Sequence, residues 1–146
     1  MPRFLPDSNC IVAAVSTWHD HHEAAFGEID RRSVAGETMV VAAHSLIESF
    51  AVLTRMPRPY RVSASAAWAI IEHGFASAEI VALDAAAHVE LLRASAASGV
   101  MGGQVYDALI AACARAAGVD AILTFNARHF QRLVAPDIAV VVPGST

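Results

Sequence analysis

The chain has 146 residues, a formal net charge of −4, an apolar fraction of 55% and a charged fraction of 16%. This length and composition predict one domain, residues 1–146, with a well-developed hydrophobic core, and they exclude a disordered chain. The sequence has neither an apolar run of the roughly 18 residues that a membrane span needs nor a signal peptide, so we expect a cytoplasmic protein with no membrane partner. The negative charge argues against a protein that binds nucleic acid by charge alone.

Short apolar strands alternate with helical segments along the chain. The predicted strands are residues 3–5, 39–42, 79–83, 121–124 and 138–142. The predicted helices are residues 11–15, 19–32, 43–55, 63–75, 85–97 and 102–118, with a further brief helix entered at 125–130. Residues 33–38 are expected to form a polar loop. This alternation predicts an α/β fold in which helices cover both faces of a parallel sheet.

The helix predicted for residues 102–118 carries one isolated acid. Apolar side chains cover nearly its whole circumference, which is typical of a helix buried inside a domain. Asp107 interrupts that surface, and no basic residue lies three or four positions away to pair with it. One interpretation is a first-turn acid that interacts with the helix N-terminus, worth up to about 1 kcal/mol. The other is a buried acid that requires a cation, which other acids would share.

Polar side chains also follow three of the predicted strands. They are Asp7 after the first strand, Glu48 after the second, and Thr124 and Asn126 after a later one. Ligands bind at the carboxyl ends of the strands in an open α/β sheet, and Asp107 is expected at that same edge. Acids that converge there repel one another, and oxygen ligands without an organised Cys/His set favour Mg²⁺ or Mn²⁺ over zinc. Such a site is suited to hydrolysis of phosphodiesters.

Both of the first two acids have a purely structural interpretation as well. Asp7, Ser8 and Asn9 are all residues that favour the N-cap of a helix. The spacing Ser45-x-x-Glu48 fits a capping box, in which the glutamate serves only the start of its helix. These interpretations stay open beside the metal site.

The histidines and cysteines give little indication of a further metal site. Residues 19–23 contain three histidines, but neighbouring histidines on a helix point in different directions, which favours a solvated helix start. Cys10 and Cys113 form no CxxC pair and are expected to be buried thiols. Arg55, Arg58 and Arg61 surround a tyrosine, and this loop suits phosphate and base contacts, an acidic partner, or plain solvation.

Taken in order, the polar motifs resemble those of the PIN-domain ribonucleases, and more narrowly the VapC toxins of bacterial toxin–antitoxin pairs. The motifs are Pro-Asp7-Ser-Asn, Ser-x-x-Glu48, Tyr106-Asp107-Ala-Leu-Ile-Ala-Ala and Leu-Thr124-Phe-Asn126-Ala-Arg-His129-Phe130. The likeness spans the whole chain. Its most specific part is the pair formed by Tyr-Asp-Ala-Leu and Thr-x-Asn-x-x-His-Phe.

The resemblance implies a sheet of four or five parallel strands and cleavage of single-stranded RNA with Mg²⁺ or Mn²⁺. It also implies a cognate VapB-type antitoxin and a homodimer. By motif position, Asp7 and Asp107 are expected to bind the metal, with Glu48 as the third acid, directly or through water. Thr124 is expected to support the site with its hydroxyl group.

The chain departs from many family members at Asn126, where they carry an acid. An amide oxygen still ligates a metal or orients water, but it brings no charge. Asp120 precedes its strand and is expected at the opposite edge of the sheet, so it does not replace the missing acid.

We weigh three functions on these residues. The first is a metal-dependent endoribonuclease in which activated water attacks an RNA phosphate and leaves 5′-phosphate and 3′-hydroxyl ends. A receiver-like domain or a haloacid-dehalogenase-type phosphatase would place a lysine at the sheet edge, and this chain has none. The third is a PIN-fold protein that binds RNA or a partner without cutting.

Overall fold

The computed structural model describes residues 1–75 and 77–145, in which five strands alternate with seven helices. The strands are β1 (Arg3–Pro6), β2 (Thr38–Ala42), β3 (Glu79–Val81), β4 (Ala121–Leu123) and β5 (Ala139–Val141). The helices are α1 (Ser8–Val15), α2 (His22–Val34), α3 (Ala43–Arg55), α4 (Ala64–Phe75), α5 (Ala85–Ser98), α6 (Gln104–Ala116) and α7 (Ala127–Val134). The predicted α/β class and parallel sheet are confirmed.

All five strands form one parallel sheet in the order β3-β2-β1-β4-β5. The chain builds outward from β1 on one side through β2 and β3, and then returns to add β4 and β5 on the other side. The strand order therefore reverses between β1 and β4, and ligands bind beside the carboxyl ends of the strands at such a switch point. Pro6 pairs with Leu123 at the last rung, so the residues that follow β1 and β4 are neighbours.

Buried side chains alternate between the two faces of the sheet. On β1, Phe4 packs with the Cys10 side chain of α1, whereas Leu5 packs with Ile110 and Ala111 of α6. Helices α1, α3 and α4 pack together on the first face, and α6 and α7 lie on the second. Both faces are covered, as the apolar strands require.

Helix α5 shows how local sequence sets an element's ends. Asp84 caps it by accepting a hydrogen bond from the backbone N–H of Ala87 at 2.8 Å, as its position predicts. Gly99 ends the helix at φ 75°, a left-handed conformation that glycine adopts without a steric penalty. No helix in the described ranges is long and apolar enough to cross a membrane.

Three predictions about the helices are wrong in part. Helix α2 begins at His22 rather than residue 19, and it continues to Val34 into the predicted loop. The prediction that α6 is buried around its circumference is wrong, because Tyr106 is 49% exposed and only one side of the helix faces the sheet. The exposed residues Gln104, Arg115 and Ala116 also lie on the outer side of the helix.

Candidate active site

Asp7 follows β1 and Thr124 follows β4, so the two residues lie side by side at the switch point. The backbone N–H of Asp7 donates to the Leu123 carbonyl at 3.0 Å, which fixes the end of β1 against the end of β4. Asp7 is also the N-cap residue of α1, and its Oδ1 accepts a hydrogen bond from the backbone N–H of Cys10 at 3.1 Å. The capping interpretation of Asp7 is therefore confirmed, and it does not exhaust what this side chain does.

The Asp7 carboxyl group is buried, with 3% of the residue exposed. Its Oδ2 accepts a hydrogen bond of 2.6 Å from the hydroxyl group of Thr124, which is fully buried. Burial raises the pKa of the Asp7 carboxyl to about 7, and the negative charge of Asp107 adds to that rise, whereas the two hydrogen bonds oppose it. Asp7 thus carries a charge that its surroundings incompletely compensate.

Asp107 joins the same network from α6. Its Oδ2 accepts a hydrogen bond from Asn126 Nδ2 at 2.9 Å and lies 2.8 Å from Nδ1 of His129, so the imidazole donates when Asp107 is ionised. The backbone N–H of Asn126 in turn donates to Thr124 Oγ1 at 2.9 Å. A continuous set of hydrogen bonds therefore links the two aspartates through Thr124 and Asn126.

Glu48 lies at the same edge but in a neighbouring groove. The groove has a volume of about 270 Å³, and its lining includes Ser8, Asn9, Trp18 and Glu48. Glu48 Oε2 lies 3.1 Å from His44 Nε2, and the His44 ring stacks on Tyr106 with 5.1 Å between centroids.

The capping-box interpretation of Glu48 is wrong. Helix α3 begins at Ala43, two residues before Ser45, so Ser45 is already inside the first turn. The Ser45 hydroxyl is buried and has no hydrogen-bond partner among the described residues. Glu48 therefore does not serve the helix start, and its carboxylate is directed to His44 and the groove.

The structure brings together Asp7, Asp107, Thr124 and Asn126, whereas Glu48 stands apart. Within residues 1–75 and 77–145, no three His, Cys, Asp or Glu side chains are arranged to hold one metal ion. The two aspartates nevertheless fit a hard divalent cation, because both offer carboxylate oxygens and no Arg side chain pairs with either of them in the described chain. Glu48 lies in the neighbouring groove and contacts neither aspartate in the described hydrogen bonds.

The other candidate groups lie where the sequence places them. Asp120 is at the opposite edge of the sheet, where its Oδ2 accepts a hydrogen bond from the Arg3 backbone at 2.8 Å. His22 Nδ1 lies 2.9 Å from the Ala13 carbonyl at the start of α2. Cys10 and Cys113 are buried and free, as expected.

Two histidines of the site have roles that the sequence reasoning missed. The contact of His44 with Glu48 follows the i, i+4 spacing of a helix, which was a usable signal. The contact of His129 with Asp107 joins two helices, and spacing along the chain gives no sign of it. Each histidine lies within hydrogen-bond distance of a predicted site acid.

Comparison with known proteins places this geometry in a family. The family model described as the PIN domain matches residues 4–135. Ribonuclease VapC40 from Mycobacterium tuberculosis is 38% identical over 113 residues, which are 77% of this chain and 79% of that protein. The chain belongs to the VapC ribonucleases of the PIN-domain family.

Solved VapC structures share the fold. VapBC2 from Rickettsia felis has a TM-score of 0.68 and 17% identity, and covers 96% of this chain and 98% of that chain. Mycobacterium tuberculosis VapC20, described as a sarcin-ricin loop cleaving toxin, has a TM-score of 0.67 and 18% identity, with 91% and 99% covered. Divalent-metal dependence is general to PIN-domain ribonucleases, and the paired aspartates of this chain suit it.

Proposed function

We propose that the protein is a divalent-metal-dependent endoribonuclease and the toxin of a toxin–antitoxin pair. The observation that carries this proposal is the buried carboxylate of Asp7, linked through Thr124 and Asn126 to Asp107. The curated relatives of this protein are named ribonucleases of the VapC type. The reaction is hydrolysis, in which water adds to the phosphorus, the bond to the 3′ oxygen breaks, and 5′-phosphate and 3′-hydroxyl ends remain.

Asp7 and Asp107 are the groups we assign to the metal, and Mg²⁺ or Mn²⁺ fits their hard oxygen ligands. The ion would neutralise charge on the phosphate and lower the pKa of water there. Thr124 keeps Asp7 oriented through its 2.6 Å hydrogen bond, and Asn126 and His129 do the same for Asp107. Glu48 is the third acid, and we propose that it acts through water from its groove.

Asn126 limits the number of negative charges at this site. Its amide donates to Asp107 Oδ2, so it orients an acid that already belongs to the network and adds no negative charge. Fewer negative charges hold fewer cations. We therefore propose one bound divalent ion rather than two.

The partners follow from the family. We propose a VapB-type antitoxin as the protein partner, RNA as the substrate and a homodimer as the assembly. Since the substrate is RNA, we place the activity in the cytoplasm. We also propose that residues 1–146 act as one PIN domain, because β5 lies beyond the matched segment and still pairs with β4.

The test is cleavage of single-stranded RNA by the purified protein with Mg²⁺, with Mn²⁺ and with EDTA. We expect cleavage with either metal and none with EDTA, and complete loss in Asp7→Asn and Asp107→Asn, both of which should fold as the wild type does. Full activity in both variants would refute the assignment.

One alternative has support from the structure. In the described residues no three acidic or histidine side chains form a metal set, and Glu48 is paired with His44. These contacts suit a PIN-fold protein that binds RNA or a partner without cutting it. Binding of RNA in EDTA, with no products in either metal, would favour that function.

A further inference from the structure

Five ring-bearing side chains form a continuous strip along one side of the candidate site. In order, this aromatic strip consists of Tyr60, Trp18, His19, His21 and Phe125. Successive ring centroids are 4.6, 5.6, 5.8 and 4.4 Å apart. Three of the rings come from residues 18–21, and the fold brings Tyr60 and Phe125 against them from two other segments.

The aromatic strip begins at the site and leads away from it. Phe125 stands between Thr124 and Asn126, the two residues that link the aspartates. Further along, Trp18 and His19 line the 270 Å³ groove that also contains Glu48. A chain bound along the strip therefore lies beside the groove that contains Glu48.

The far end of the strip is exposed and positively charged. Trp18 is 37% exposed and Tyr60 is 44% exposed, although they stack on each other at an interplanar angle of 29°. Arg58 and Arg61 flank Tyr60, and both are exposed.

The arginines around Tyr60 have no acidic partner in the described residues. Arg3, Arg31, Arg32 and Arg93 form ion pairs with glutamates, whereas Arg55, Arg58 and Arg61 form none within the described residues. In a chain of net charge −4, this loop thus keeps positive charge that no acid in the described residues neutralises. Guanidinium groups without an acidic partner are suited to bind phosphate oxygens.

We infer that the aromatic strip binds single-stranded RNA, with unpaired bases stacked on Trp18 and Tyr60 and the backbone held by Arg58 and Arg61. Exposed rings beside positive charge are the features that proteins use to bind single strands. A duplex is excluded, because its bases already stack on one another and are not available to the rings. The inference rests on the proposed function, since it identifies how that site takes its substrate.

The first test measures binding without cleavage. A labelled mixed-sequence RNA of about twelve nucleotides is titrated with the full-length protein in EDTA, as a single strand and annealed to its complement. We expect Trp18→Ala and Tyr60→Ala each to weaken single-strand binding by about tenfold, the loss of one stacked base. Trp18→Phe keeps a ring and should restore most of the affinity.

A matched control comes from α4. Trp68 is 57% exposed and forms no ring contact within the described residues, so Trp68→Ala should bind RNA as the wild type does. Thermal unfolding of each variant separates loss of the strip from loss of the fold.

The second test measures the arginines through salt. For each phosphate contact removed, the slope of log affinity against log salt concentration for a single strand falls by about 0.7. We expect that reduction in Arg58→Gln and in Arg61→Gln, and no change in Arg93→Gln, whose side chain pairs with Glu90.

Unchanged single-strand affinity in both ring variants would overturn the inference and would favour a protein partner at the strip. Equal affinity for the single strand and the duplex would overturn it as well. These results are distinct from failure of the proposed function. Ring-dependent binding with no cleavage in Mg²⁺ or Mn²⁺ would refute the nuclease and uphold the strip.

Discussion

At the scale of single residues, Asp7 serves two purposes that conflict. Its carboxyl group caps α1 and is a proposed metal ligand, yet it is buried and shares its surroundings with the negative charge of Asp107. A buried acid with a raised pKa costs stability whenever it is ionised. The ionised Asp7 carboxylate therefore lowers the stability of the metal-free protein.

The first prediction concerns how the stability of the metal-free protein depends on pH. The pKa of Asp7 is about 7 in the folded protein against 3.8 as its ordinary value, so the folded state holds the proton more tightly. The free energy of unfolding in EDTA therefore falls as the pH rises from about 4 to about 7, by roughly 4 kcal/mol if Asp7 acted alone.

Asp7→Asn supplies the control for that prediction. Asparagine still caps a helix and cannot ionise, so this variant should be more stable than the wild type at pH 8 in EDTA and should lose that part of the pH dependence. Urea unfolding at several pH values measures both. An identical pH dependence in the two proteins would show that Asp7 is not the group responsible.

The second prediction concerns the hydroxyl group of Thr124. It donates to Asp7 at 2.6 Å in a buried bond and accepts from the partly buried Asn126 backbone N–H at 2.9 Å. Thr124→Val keeps the shape but leaves both partners unpaired, so we expect a loss of roughly 2 kcal/mol in unfolding free energy together with reduced cleavage. Thr124→Ser should retain both properties. Equal stability of the valine and serine variants would contradict this role.

At the scale of elements, the sequence predicted most of the fold, because strand ends and helix caps leave local signals. Helix α3 was predicted with its observed bounds, and Asp84 was predicted as the cap of α5. The sequence failed where the signal was not local. His129 and Asp107 lie 22 positions apart on two different helices, and residue spacing gives no sign of their contact.

The capping box at Ser45 shows the other kind of failure. A Ser-x-x-Glu pattern favours a helix start, but the apolar end of β2 runs directly into α3 with Ala42 at the cap. Burial of β2 therefore set the boundary, and the polar pattern did not. The error hid the pairing of Glu48 with His44, which becomes visible once the helix is known to begin at Ala43.

The third prediction tests the end of α5. Gly99 has φ 75° and a side chain there would meet nothing within 4 Å, so the cost of Gly99→Ala is a backbone cost of roughly 1–2 kcal/mol. Gly27 also has open space around it but lies within α2, so Gly27→Ala should stabilise the protein by about 0.5–1 kcal/mol. Thermal unfolding measures both. Changes of the same sign would contradict the assignment of the left-handed cap.

The fourth prediction concerns the side chain that α3 presents to the site. Glu48 is expected to support the metal through water, so Glu48→Gln should raise the Mn²⁺ concentration for half-maximal cleavage by about tenfold. Ile47 lies next to it and is 71% exposed, so Ile47→Ala should leave this concentration unchanged. If Glu48→Gln requires no more metal than the wild type, the role of Glu48 as the third acid is wrong.

At the scale of the whole molecule, the site exists because the strand order reverses between β1 and β4. That reversal places the residues after both strands side by side, and α6 brings Asp107 to the same edge. The aromatic strip extends from this edge to an arginine loop on the far side of Trp18. The fold thus joins a candidate metal site and a candidate path for the RNA strand in one surface.

Calorimetric titration with Mn²⁺ measures whether Asp7 and Asp107 together hold one divalent cation, as we propose. We expect one bound ion per chain in the wild type and at least a tenfold loss of affinity in both Asp7→Asn and Asp107→Asn. Binding of Mn²⁺ with wild-type affinity and stoichiometry in either variant would contradict it.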